Sequence, residues 1–176
     1  KTLSVLRKQH YIFVYENIFG GPLLKSGDSD SLFLKPELVR FTILPCLVSA
    51  LKDFQKSDLL HGSLHAGNVF LPMGVETVGS GEKIKEIYLG ECLSTPFSYN
   101  MPSLYLPIAR AAADPIGRGQ GLIEDEIYSL GVLLAILLRK SNPCENLSEQ
   151  DVIRAKIDQG SYQTIVGDNR IDVFFL

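Results

Sequence analysis

The spacing of apolar residues divides the chain into helical and extended stretches. Tyr11-Ile12-Phe13-Val14-Tyr15 is a run of aromatic and β-branched side chains, the composition of a buried strand. Gly20-Gly21-Pro22 ends whatever follows it, and residues 27–31 form a polar loop. Over residues 36–56, Leu38, Phe41, Leu44, Val48 and Leu51 recur every three or four positions and predict one apolar helix face. Pro45 interrupts that pattern, and an interior proline costs on the order of 3 kcal/mol. The helix is therefore expected to kink there, or to restart with Pro45 in its first turn.

Further along, Val69-Phe70-Leu71 predicts a strand closed by Pro72-Met73-Gly74, and residues 84–89 the strand that returns beside it as a β-hairpin. Gly79 and Gly81 belong to the turn between them; no helix start follows, so they do not make a phosphate cradle. Residues 90–124 are rich in Pro, Gly and Ala without a sustained period, which predicts a long irregular loop. Arg110 and Arg118 within it read as a partner or phosphate contact, or more plainly as parts of a flexible, solvated loop. Residues 125–139 are apolar nearly all round, the mark of a helix in the middle of a domain. Ser148 is a good N-cap with Asp151 three residues on, Val152, Ile153 and Ile157 supply an inner face, and Gly160 ends the helix. The fold class expected is α+β: mainly helical with a few short strands.

Composition narrows the function classes. The 176 residues make about one domain. A net charge of −3, well mixed along the chain, leaves no footprint for nucleic acid or an anionic membrane. Cys46, Cys92 and Cys144 form no C-x-x-C pair, which argues against a disulfide framework or a zinc site and for a reducing, cytoplasmic setting. No signal-peptide pattern opens the chain. The longest near-continuous apolar run, residues 127–138, is shorter than the roughly 20 residues a membrane helix needs. Lys1 at the start and Phe174-Phe175-Leu176 at the end read as cuts in a longer chain.

The candidate chemistry lies in His61-Gly62-Ser63-Leu64-His65-Ala66-Gly67-Asn68-Val69-Phe70-Leu71. This run resembles the catalytic loop of protein kinases, H-R-D-x-K-x-x-N followed by an apolar strand. The surrounding elements follow the order of a kinase large lobe. Phe13 to Leu23 is similar to the last small-lobe strand and hinge, with Tyr15 as gatekeeper and the backbone of Glu16 and Ile18 facing an adenine ring. Glu126-Ile127-Tyr128-Ser129-Leu130-Gly131 is similar to the D-x-W-S-x-G that opens the buried central helix, with Glu for Asp. Residues 1–24 are then the end of a small lobe and hinge, and 25–176 a kinase-like large lobe truncated at its C-terminal end. The glycine-rich loop, the phosphate-pairing Lys and its Glu would precede Lys1.

Departures from the pattern set the functional expectation. Ser63 stands in place of the Asp that accepts the substrate proton, and His65 in place of the Lys. In Ile87-Tyr88-Leu89-Gly90, Gly90 keeps the Gly of D-F-G while Tyr88 takes the place of the metal-binding Asp. Leu106-Pro107-Ile108 resembles A-P-E without its Glu. The resemblance thus implies a pseudokinase that acts by protein binding, as scaffold or allosteric partner of an active kinase or other signalling enzyme. The long loop and the helix at 148–159 would be its contact surfaces. No catalytic residue or metal ligand is assigned; ATP, with weak Mg²⁺ or without it, would be the cofactor if the hinge still binds nucleotide, through Glu16, Ile18 and Asn68. Asn68 otherwise ties down the loop backbone, and this is the preferred role. His61 is expected as a buried hydrogen-bonder to the strand ending near Tyr88, His65 as a polar surface residue rather than a base, and Glu126 as an anchor for the loop backbone. Two alternatives stay open. One is an atypical kinase or nucleotide-dependent transferase with chemistry rerouted through His65 or Glu91. The other is a stand-alone large-lobe module that binds peptide without nucleotide.

Overall fold

The computed structural model describes residues 3–7, 10–14, 23, 36–72, 86–93, 100–160 and 165. Strands β1 (Leu3–Arg7) and β2 (His10–Val14) pair antiparallel, with Leu3 opposite Val14 and Arg7 opposite His10. β2 is the strand expected at 11–15, moved by one residue. β1 had no counterpart in the sequence pattern, because its alternation breaks at Val5-Leu6. The hinge that would follow, with Tyr15, Glu16 and Ile18, lies outside the described residues. Leu23 is described: it is buried, and its N–H donates to the Val69 carbonyl at 2.7 Å.

Pro45 explains the shape of the next helix. A short α1 (Pro36–Leu38) widens into a π-helical turn over Val39–Ile43, and α2 (Leu44–Lys56) then begins with Pro45 in its first turn. Proline has no N–H and its ring would strike the carbonyl four residues back; the wider turn carries the ladder past it, with the Leu44 N–H reaching back to the Val39 carbonyl. The extra residue also rotates the inner face. Val39, Ile43, Leu47 and Leu51 are buried, whereas Phe41, expected inside, is 76% exposed.

The expected hairpin is present as β3 (Val69–Phe70) and β4 (Tyr88–Leu89), antiparallel with Val69 opposite Leu89 and Phe70 opposite Tyr88. Its turn, with Gly79 and Gly81, lies outside the described residues. Residues 100–118 are not the solvated loop that composition suggested. They hold 3₁₀ turns at Ser103–Tyr105 and Pro115–Arg118 and the short α3 (Ile108–Ala111), with Leu104, Tyr105, Leu106 and Ala111 buried. Arg110 and Arg118 clamp this stretch: Arg110 Nη1 donates to the Arg118 carbonyl at 2.6 Å, and Arg118 Nε to the Arg110 carbonyl at 3.2 Å. Arg110 also pairs with Asp125 at 3.1 Å, and Asp125 accepts the Leu122 N–H at 2.8 Å, capping α4 (Ile123–Arg139).

Helix α4 is the centre of the molecule. Val132, Leu133, Ala135, Ile136 and Leu137 pack in one core with residues of α2, the loop after it, and β3. Burying the large apolar members contributes about 1.5–3 kcal/mol each. Helix α5 (Glu149–Gln159) starts as expected, with Ser148 Oγ accepting the Asp151 N–H at 3.2 Å, and Gly160 ends it. Its inner face holds Val152 but not Ile157, which is 63% exposed. Lys156, 1% exposed, is turned inward instead. Its ammonium donates to the carbonyls of Ser103, Leu104 and Leu106 at 2.6, 2.8 and 2.5 Å, and burial pushes its pKa down to about 8. The two stretches expected to offer separate contact surfaces are thus fastened to each other. No helix among the described residues is long and apolar enough to cross a membrane. Among the described residues the architecture is helical with two small antiparallel sheets, α+β in class.

Candidate functional site

The loop between α2 and β3 is built to be rigid. Asp58 leaves the helix in a left-handed conformation (φ 54°), and the chain then dives inward, with His61, Gly62, Ser63 and Leu64 all buried. Gly62 has φ 81°, which a Cβ would resist. Its buried N–H would be an orphan donor without Glu126, whose Oε1 accepts it at 2.8 Å from the first turn of α4. Burial raises the Glu126 carboxyl pKa, and the backbone hydrogen bonds from Gly62 and His61 partly offset that.

His61 is fully buried, edge-on to the Phe54 ring at 5.8 Å. Its Nδ1 accepts the Ser63 N–H at 3.2 Å, so a neutral ring carries its proton on Nε2, which has no hydrogen-bond partner. Burial, helped by the nearby His65, lowers its pKa to about 4. The ring also faces the Gly90 backbone at the end of β4, which partly offsets that fall, and the His61 carbonyl accepts the Leu93 N–H at 2.7 Å. His65 uses Nδ1 to accept the Gly67 N–H at 3.2 Å, capping the 3₁₀ turn Ala66–Asn68. It lies 5.8 Å from the Tyr105 ring, half-buried, and burial lowers its pKa. It is a neutral cap, with its δ nitrogen already occupied.

Asn68 is the hub. Its backbone N–H donates to the His65 carbonyl and its carbonyl accepts the Gly90 N–H at 2.8 Å, locking the loop to the end of β4. The side-chain Nδ2 lies 3.0 Å from each of three acceptors: the Ser63 carbonyl, Ser63 Oγ and Glu91 Oε2. A carbonyl and a carboxylate accept only, so the amide nitrogen, not the oxygen, faces them. Ser63 Oγ also donates to Glu91 Oε2, at 3.2 Å. Three side chains therefore close on one another.

Glu91, through which the transferase alternative would route its chemistry, enters the centre, and Tyr88 does not. The Tyr88 hydroxyl donates to Glu86 at 2.9 Å, away from Asn68. What brings Glu91 in is a turn with left-handed residues at Glu91 (φ 48°) and Leu93 (φ 63°), following Gly90. At Gly90 a Cβ would stand 2.8 Å from Phe70 Cε2, so any larger residue would have to displace that ring. The clue available in sequence was a lone carboxylate directly after that glycine; its turn geometry was not legible. Glu16 and Ile18 lie outside the described residues.

Chemically, the centre offers a buried hydroxyl, an amide N–H₂ and one solvent-accessible carboxylate. Among the described residues no group of three or more His, Cys, Asp or Glu could hold a metal ion. A hard cation needs oxygen ligands; Asn68 could give its Oδ1 beside Glu91 only by rotating the amide and losing the bond to the Ser63 carbonyl. No family model, no curated protein and no solved structure matches the chain.

Proposed function

We propose that the chain is the large lobe of a protein-kinase-like domain whose centre no longer transfers phosphate, and that it acts by binding another protein. The motif order supports this, as does the tie from Glu126 to the loop backbone. The observation that carries the reading is Ser63. At the place of the proton acceptor stands a buried hydroxyl that donates its own proton to Glu91. A positioned base contributes roughly 10²- to 10⁴-fold to such a reaction, about 3–5 kcal/mol. A neutral hydroxyl supplies none of it, and Asn68 is spent on holding the loop. A cytoplasmic role beside an active kinase or other signalling enzyme goes with this reading.

One observation favours a second reading, a nucleotide-dependent transferase: the Glu91 carboxylate 3.0 Å from the Asn68 amide. The two separate in a thermal-shift titration with ATP, with and without Mg²⁺. A ligand at 100 times its Kd stabilises by about 2.7 kcal/mol, several degrees. On the proposed reading Mg²⁺ adds nothing to the shift that ATP alone gives. A further rise with Mg²⁺ that Glu91→Gln removes would overturn it in favour of the transferase.

A further inference from the structure

We propose that a groove of about 470 Å³ on the far side of the Glu91 turn is a docking site for a partner segment carrying apolar side chains beside a basic one. It runs between the end of α2, the turn at Leu93 and the start of α4, with Leu59, Leu60, Leu93 and Leu122 in its walls. Isolated exposed leucines need no explanation; several converging on one concavity do.

Two of these leucines stand where local structure asks for something else. Leu122 occupies the N-cap of the seventeen-residue α4, a position that favours Ser, Thr, Asp or Asn, and it is 57% exposed. Leu93 is 50% exposed and holds a left-handed conformation suited to glycine. Neither leucine serves the local backbone better than glycine or a polar cap would, and both side chains stay half-exposed at the groove. The wall is also open at Gly119, where a Cβ would meet nothing within 4 Å.

Charge selects the occupant. Asp58 is the only ionisable side chain in the wall among the described residues, and no Lys or Arg lines it. Its carboxylate is exposed. An acidic segment would be repelled; a segment with one Arg or Lys next to two leucine-like side chains would fill the volume and pair with Asp58. Because the Leu93 N–H is bonded to the His61 carbonyl, the occupant would rest on the turn that carries Glu91. The inference rests on the reading of a chain that acts by binding, yet its test involves no nucleotide, so phosphate transfer could be found without touching it.

The test is fluorescence anisotropy of the whole chain with a fluorescein-labelled Ser-Arg-Leu-Ser-Leu-Ser peptide, and with versions in which Glu replaces Arg or Ser replaces both Leu. The first peptide binds and the other two do not. Leu122→Ser raises Tm, since serine is the better cap, and weakens binding roughly tenfold. Asp58→Asn keeps a residue that tolerates the left-handed backbone and weakens binding about threefold. Absence of binding, equal binding of the Glu peptide, or indifference to both substitutions would overturn the proposal. So would a concentration-dependent dimer in sedimentation that Leu122→Ser abolishes, which would assign the groove to a second copy.

Discussion

Replacing Glu126 separates a hydrogen-bond acceptor from a charge. Its Oε1 is the partner of the buried Gly62 N–H at 2.8 Å, and the carboxylate is 1% exposed. Glu126→Gln keeps an acceptor of the same reach and removes a charge that burial already disfavours, but puts an amide N–H₂ where Oε2 has no partner. The two effects oppose, and the net cost should be no more than about 1–2 kcal/mol. Glu126→Leu fills nearly the same volume but leaves the Gly62 N–H without a partner. A lost bond to a charged acceptor, together with an unpaired buried donor and less the relief of carboxylate desolvation, should cost about 2–4 kcal/mol. For a chain of this size that lowers Tm by about 5–15 °C. Urea denaturation followed by circular dichroism gives the stability, and amide exchange at Gly62 locates the damage. Equal losses in the two variants, or a leucine variant as stable as the parent, would refute the role given to Glu126.

Gly90→Ala places a methyl 2.8 Å from the Phe70 ring and should destabilise by about 1–3 kcal/mol, a loss that Phe70→Leu largely relieves in the double variant; a denaturation series over the four proteins measures the coupling. His61 stays uncharged in the fold, with its pKa lowered from 6.5 to about 4. The unfolded chain therefore binds more protons between those values. The stability His61 contributes is complete above pH 6.5 and falls by about 3 kcal/mol as pH drops to 4. The difference between parent and His61→Gln isolates this from Glu126, whose raised pKa acts with the opposite sign. Leu133→Ala, at the centre of the core, should cost about 2–5 kcal/mol in the same denaturation assay.

The sequence revealed most where local chemistry decides. The Ser148 cap, the stop at Gly160, the α4 helix and the pairing of β3 with β4 all follow from capping residues, glycine or short-range periodicity. It misled where one residue shifts a whole face. The π turn before Pro45 moved burial from Phe41 to Val39 and Ile43, because periodicity assumes an uninterrupted ladder. Lys156 lies on the inward side of α5 with Val152, a place where a hydrophobic pattern expects no charge. What makes its burial tolerable is three carbonyls some fifty residues earlier, which no local pattern announces. Residues 100–118 looked like loop for the same reason, since their order comes from Lys156 and the Arg110–Arg118 clamp rather than from their own spacing. At the site, Glu126 ties down the buried loop backbone, whereas the entry of Glu91 depends on two left-handed residues that no sequence pattern announces.

The central claim is that a donor hydroxyl sits where a proton acceptor would be needed. Incorporation of radiolabelled γ-phosphate from Mg²⁺-ATP, into the protein itself and into generic protein acceptors, tests this most directly. The account predicts incorporation at the background of a protein-free control, unchanged by Glu91→Gln. Magnesium-dependent transfer by the parent chain that Glu91→Gln or Asn68→Ala abolishes would contradict it.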